Sequence, residues 1–184
     1  LKESKAQALI AVGGGKLMDS AKYVAAKLPY LYSIFVPTLA SNCAPWTPIS
    51  VMYDENGSWL GFDIHDRQTS LLVIDPNLVI NSPLDYFIAG IADTLAKWYE
   101  SDQILSNANY STNAFLTIAR QAASDCRDNI FNYSQEAVQD FKKGKVSQEV
   151  TLIIETIIAI SGLVGGFGDK LARTSLAHAV RDAL

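Results

Sequence analysis

Within this chain of 184 residues, the run Gly13-Gly14-Gly15-Lys16 and the isolated polar residues Asp93 and His178 are the types and spacings that can do chemistry. The glycines follow an apolar run and precede helix-forming sequence. That order places free amide N–H groups and the positive end of a helix dipole at the tip of a sheet, an anion site. The dipole alone favours a phosphate there by about 0.3–2 kcal/mol. The spacing is neither G-x-G-x-x-G nor G-x-x-x-x-G-K-[ST], so a tight turn that binds nothing stays open. Asp93 lies among small and apolar residues in Gly90-Ile91-Ala92-Asp93-Thr94-Leu95-Ala96-Lys97. A buried carboxylate needs a cation, hydrogen bonds or a metal. Lys97, four residues on, can be the cation. His178, in Ser175-Leu176-Ala177-His178, is either a satisfied core histidine or a ligand. Two such groups do not make a zinc site, which takes three protein ligands and a water when catalytic.

The elements that must position these residues follow from periodicity. Ala8 to Val12 has the length and composition of a buried strand of a parallel sheet. Three glycines then open backbone angles closed to other residues. Lys16 to Leu28 is helical, with Leu17, Ala21, Val24 and Leu28 on one face. Tyr32 to Val36 is a second strand. The stretch Thr38 to Pro48, with Pro45 and Pro48 and small polar residues, is a shaped loop leaving the carboxyl end of that strand, where open α/β sheets bind ligands. Ile49 to Tyr53 and Ser58 to Phe62 flank Asn56-Gly57, a hairpin signal, and Leu71 to Ile74 is a further buried strand. His65, between two aspartates, reads as a solvated loop residue without a role. After Asn81-Ser82-Pro83 helical spacing dominates, over Tyr86 to Leu105, Ser111 to Cys126, Gln135 to Phe141, Gln148 to Leu163 and Leu171 to the end. The expected fold class is an α/β nucleotide-binding domain (1–82) followed by an all-helical domain (83–184).

Composition narrows the partners. The chain is 49% hydrophobic and 18% charged, which is globular, and its net charge of −4 without a basic run argues against nucleic acid. Glu155 interrupts the apolar run Val150 to Leu163, so no membrane span is expected. The first residues, Leu1 to Ala6, lack the apolar core of a signal peptide. Two cysteines, Cys43 and Cys126, suggest a reducing compartment, hence the cytoplasm. A first strand that starts almost at once, and an end within helical sequence, make the chain an expected internal piece of a longer protein.

Five motifs in order resemble the iron-containing alcohol dehydrogenase superfamily, and within it the glycerol dehydrogenase branch. They are Gly13 to Lys22, Val36 to Ser41, Ser50 to Tyr53, Gly90 to Glu100 and Ala177-His178-Ala179. The resemblance implies a Rossmann-like domain, a helical domain, and a cleft between them for NAD or NADP, a divalent metal and a small-molecule substrate. It implies that Gly14 and Gly15 hold the cofactor pyrophosphate, with Lys16, Leu17, Met18 and Asp19 lining the same turn. Thr38 and Ser41 match positions that touch the cofactor, and Thr47, Ile49 and Tyr53 match positions nearer the nicotinamide. Asp93 and His178 match an aspartate and a histidine that ligate Zn²⁺ or Fe²⁺ and serve catalysis, a third ligand lying outside this sequence. A homo-oligomer is expected.

The chain departs from that branch in one place. Glycerol dehydrogenases carry an aspartate that contacts the polyol, in a pattern like Ala-Ser-Thr-Asp-Ala-Pro, whereas Cys43 stands there in Ala40-Ser41-Asn42-Cys43-Ala44-Pro45. A thiol accepts hydrogen bonds poorly and removes a negative charge. A carboxylate-bearing substrate then becomes easier to accommodate, so a 2-hydroxy acid dehydrogenase stands beside the polyol reading. Dehydroquinate synthases share the architecture but place a glutamate where Asp93 stands. A non-catalytic nucleotide-binding subunit is the remaining alternative.

Overall fold

Strand β1 (Ala8–Gly13) feeds helix α1 (Gly15–Lys27), which returns the chain as β2 (Tyr32–Pro37), paired parallel to β1 with Ile10 opposite Ile34. Strand β5 (Leu71–Leu72) joins the other side of β2, so the sheet order is β1-β2-β5 and all pairings are parallel. The computed structural model describes residues 5–56, 59–106 and 113–172, apart from the side chain of Trp59. Ala11 and Phe35 bury one face of the sheet against Met18 and Ala21 of α1. The opposite face is open among the described residues: Ile10 and Val12 are 62% and 54% exposed. Strand β1 is therefore half-buried rather than buried on both sides, because α1 covers a single face. The inner side of α1 is also turned by one residue from its apolar periodicity. Leu17 is exposed, and Met18, Ala21, Lys22 and Ala25 point inward.

Lys22 is tolerated inside because Asp19, one turn earlier, pairs with it at 2.8 Å. Burial pushes the Asp19 carboxyl above and the Lys22 amine below their ordinary values, and each opposes the other's shift. The pair reaches the hairpin formed by β3 (Ile49–Tyr53) and β4 (Trp59–Ile64), which are antiparallel with an irregularity at Met52/Tyr53. Lys22 donates to the Ile49 carbonyl, and Ser50 Oγ donates to the Asp19 carbonyl at 2.8 Å. Gly61 supplies the φ of 143° that the irregular pairing requires. The hairpin turn residues Gly57 and Ser58 lie outside the described residues.

His65 has a structural role that its flanking aspartates hide. Its Nε2 lies 2.8 Å from Ser50 Oγ. The one hydroxyl proton of Ser50 is committed to Asp19, so the network assigns the proton to Nε2, which donates to Ser50. Burial, reinforced by the charge of Lys22, holds the imidazole below the usual histidine range. The unfolded chain then takes up this proton first as pH falls. Stability contributed here is present above about pH 6.5 and lost on acidification through the lowered value. The urea midpoint is expected to drop more steeply between pH 7.5 and 5.5 in the natural protein than in His65→Gln, which keeps an N–H donor without titrating. Equal slopes would contradict the assignment.

Past Pro83 the chain is helical. Asp75 accepts from Asn77 N to cap the short α2 (Pro76–Val79). Then come α3 (Leu84–Leu105), α4 (Ala114–Lys142), α5 (Gln148–Glu155), a π-helical turn (Thr156–Ile160), α6 (Ser161–Gly168) and a 3-10 turn (Asp169–Leu171). Helix α4 corrects the expectation of two helices ending at Cys126 and starting at Gln135. Ile130 and Ala137, both buried, continue the inward stripe of Ala119, Ala123 and Cys126 through the polar intervening run. Asn113 caps α4 through the amides of Phe115 and Leu116. The expected helix from Leu171 to the end meets a 3-10 turn at Leu171 and beyond Ala172 lies outside the described residues, as does the start at Ser111.

The helical run Gln148–Leu171, 24 residues, is by length and composition apolar enough to cross a membrane. Glu155 is exposed and does not interrupt it. Ile153, Ile154, Ile157, Ile158 and Val164 are fully buried, which is how the core helix of a globular protein passes the same test. That core also holds Phe87 stacked on Phe141 at 4.3 Å, and Ala40, Leu72 and Ile74 join it from the sheet side. The helices thereby pack directly onto the loop that follows β2.

Candidate functional site

The site is organised by the loop from Thr38 to Pro48, which touches the glycine turn on one side and α3 on the other. At the turn, Thr38 N donates to the Gly13 carbonyl at 3.0 Å and Met18 N to the Gly14 carbonyl at 3.1 Å. Gly14 is the N-cap of α1 and supplies no side-chain cap, so the amides of Gly15, Lys16 and Leu17 begin the helix uncapped. None of the three glycines has positive φ; among the described glycines those at positive φ are Gly61 and Gly144. The expectation of special backbone angles is thus replaced by close approach. A Cβ at Gly14 would lie 3.1 Å from Leu39 Cδ2, and one at Gly15 3.2 Å from Asn42 Nδ2. Asn42 holds the loop's own turn by accepting from Ala44 N at 3.0 Å.

On its other side the loop rests against two helical glycines. A Cβ at Gly90 of α3 would stand 2.3 Å from the Ala40 carbonyl oxygen and 3.0 Å from Ser41 Cα. A Cβ at Gly162 of α6 would stand 2.3 Å from Trp46 Cδ1. Asp93 is three residues after Gly90, one turn along the helix that abuts Ala40 and Ser41. The loop therefore bridges the uncapped amides of α1 and the helix that carries Asp93.

The remaining expected residues divide by direction. Lys16 is exposed, with its ammonium 6.0 Å from the centroid of the Tyr53 ring, so these two are brought together. Thr38, Ser41, Cys43 and Ile49 are half-buried along the loop and at the start of β3, and Thr47 is buried. Met18 and Asp19 face inward, Met18 into the α1 core and Asp19 towards Lys22, so any contact they make at the turn is through backbone. Asp93 Oδ2 is 3.7 Å from Lys97 Nζ, the pairing that i,i+4 spacing predicts. His178 lies outside the described residues. Among the described residues no three of His, Cys, Asp and Glu converge as a metal set, and Asp93 can supply one oxygen ligand.

Residues 1–76 match the family model described as iron-containing alcohol dehydrogenase. The chain is 38% identical over 176 residues to hydroxycarboxylate dehydrogenase A of Escherichia coli (strain K12), covering 96% of this chain and 48% of that protein. The likeness of the chain is to the iron-containing alcohol dehydrogenases. It is also 31% identical over 180 residues to glycerol dehydrogenase 1 of Schizosaccharomyces pombe, covering 97% of this chain and 39% of that protein. The crystal structure of glycerol dehydrogenase from Schizosaccharomyces pombe superposes with a TM-score of 0.85 at 28% identity, over 97% of this chain and 44% of that one. The chain spans about half the length, or less, of the curated relatives it matches. The α/β-plus-helical fold expected of an iron-containing alcohol dehydrogenase is the fold observed.

Sequence reading missed the residues that hold the loop. Asn42, Trp46, Gly90 and Gly162 belong to the site through packing. Their signal was present in the two glycines, since a glycine inside a helical pattern costs about 1 kcal/mol against alanine and calls for a packing reason.

Proposed function

We propose that the protein is a metal-dependent oxidoreductase that transfers a hydride between NAD(P) and a small hydroxylated substrate, a glycerol-like polyol in the first instance. The carrying observation is the single loop that joins an uncapped glycine-turn helix to the helix of Asp93. Uncapped amides fit a pyrophosphate, which needs donors and close backbone approach rather than side chains. In this reading Gly14 and Gly15 bind it, with Lys16, Leu17, Met18 and Asp19 at the same turn. Thr38, Ser41, Thr47, Ile49 and Tyr53 line the cofactor's path, and Cys43 faces the substrate. Asp93, with His178, holds a divalent ion, Zn²⁺ or Fe²⁺. The bound metal and nicotinamide supply Lewis-acid activation of the hydroxyl and acceptance of the hydride. The chain itself orients the substrate beneath the loop and fixes the carboxylate of Asp93 through Lys97.

A 2-hydroxy acid is the second reading, favoured by Cys43 in place of a carboxylate and by the likeness to hydroxycarboxylate dehydrogenase A. The proposal divides the chain at residue 82, supported by described strands that precede Val73 and by the two longest described helices, α3 and α4, which follow Pro83. It further takes a cytoplasmic homo-oligomer without nucleic-acid or membrane partners, supported by the unpaired thiols of Cys43 and Cys126 and by the exposed apolar Leu60, Phe62 and Ile64. The test is reduction of NAD or NADP by metal-loaded full-length protein across a panel of polyols and 2-hydroxy acids. Turnover of one class supports the reading; silence across both panels overturns it.

A further inference from the structure

Resting on the second reading of the proposed function, we infer that Lys97 binds the carboxylate of the substrate and so selects 2-hydroxy acids over polyols. Helix α3 places Lys97 one turn beyond Asp93, about 6 Å along the axis. The residue is 7% exposed, yet an ammonium carries three donors. Among the described residues its one ion pair is to Asp93 at 3.7 Å, longer than a hydrogen bond, and it donates to no other group. Its donors are therefore available to a further anion.

A lysine side chain is an ammonium at neutral pH, and Cys43, Asp93, Cys126 and Glu100 are the groups that bear on it electrostatically. Of these, Cys126 is itself pushed up to about 12 by burial and is neutral at pH 7. Lys97 therefore faces a neutral thiol on α4, and its standing counter-charges are Asp93 and Glu100. Once Asp93 is engaged by a divalent ion, part of that counter-charge is withdrawn. A 2-hydroxy acid restores it, because its carboxylate is bonded to the carbinol carbon and so follows the hydroxyl into the neighbouring turn. A polyol offers a neutral hydroxyl at the same place and leaves Glu100 as the remaining counter-charge.

The experiment compares lactate with 1,2-propanediol, which share a skeleton and differ in carboxylate against CH₂OH, and titrates oxamate calorimetrically into full-length protein. Loss of one partner from a buried charge pair predicts that Lys97→Met lowers the lactate-to-diol ratio of kcat/KM about 100-fold and weakens oxamate similarly. The lactate loss is expected mainly in KM, and Lys97→Arg is expected to restore part of both readouts. Cys43→Asp, which sets a carboxylate beside the ammonium, is expected to shift the ratio towards the diol. A folded Lys97→Met whose ratio and oxamate affinity stay within 3-fold of the natural protein's, about 0.7 kcal/mol, overturns the inference. If that variant loses metal or does not fold, an unchanged ratio in Cys43→Asp overturns it instead. A natural protein that oxidises the diol but neither oxidises lactate nor binds oxamate overturns it while leaving the proposed function standing. One that oxidises neither substrate removes the proposed function, and the oxamate titration still decides Lys97.

Discussion

Replacing Asp93 with asparagine is expected to strip the divalent metal from the full-length protein and to lower turnover about a thousand-fold. The substitution keeps the shape of the side chain and removes its charge, so helix α3 and its packing on Ala40 are undisturbed. What is lost is the anionic oxygen that holds the ion, and polarisation of a reacting oxygen by a metal supplies several kcal/mol of transition-state stabilisation. Each 1.4 kcal/mol is a factor of ten in rate, so a loss of about 4 kcal/mol gives the thousand-fold. Lys97, 3.7 Å away, loses a counter-charge at the same time. Elemental analysis after dialysis and steady-state rates check the result. Retained metal with retained turnover would show that Asp93 is no more than an ion-pair partner of Lys97.

Gly90→Ala is the second large effect, and its sign separates packing from propensity. In a helix interior, glycine to alanine ordinarily stabilises by about 0.5–1 kcal/mol. Here the added Cβ would meet the Ala40 carbonyl oxygen at 2.3 Å and Ser41 Cα at 3.0 Å, and backbone cannot swing aside as a side-chain tip can. Overpacking of this kind costs about 1–3 kcal/mol, occasionally more, which outweighs the propensity gain. The thermal midpoint is therefore expected to fall by several degrees. Displacement of the loop is expected to raise the KM for NAD(P) as well, because Thr38, Ser41 and Thr47 ride on it. A rise in the midpoint with unchanged KM would mean that α3 does not set the loop's position.

The βαβ path was legible because its signals are local: an apolar run, a glycine break, a helical stripe and a second apolar run. The hairpin was legible from Asn56-Gly57 between β-prone runs. Asp93 stood out as a carboxylate among small residues, and Lys97 as its partner by spacing alone. What was not legible depends on packing between distant segments. Asp128, Asn129, Asn132 and Ser134 weaken helical propensity, but Ile130 and Ala137 bury enough surface to carry α4 through them as one helix. Leu17 belongs to an apolar stripe and yet faces solvent, while the Asp19–Lys22 pair, each neutralising the other, takes the inner side beneath β3. Ser50, wholly buried between Asp19 and His65, fixes His65 in a role that two flanking aspartates conceal. The seating of the loop between Gly15, Gly90 and Gly162 is a tertiary fact, visible in sequence only as glycines where none is needed locally.

The most direct test of the central claim, that Asp93 holds a metal beside the loop joined to the glycine turn, is an anomalous-scattering map at the zinc edge. It is recorded on crystals of the full-length protein grown with NAD and zinc. A single strong peak is expected about 2.0–2.2 Å from an Asp93 carboxylate oxygen, with the cofactor pyrophosphate against the amides of Gly14 and Gly15. A peak elsewhere, with Asp93 bonded to Lys97 alone and the glycine turn empty of cofactor, would contradict it.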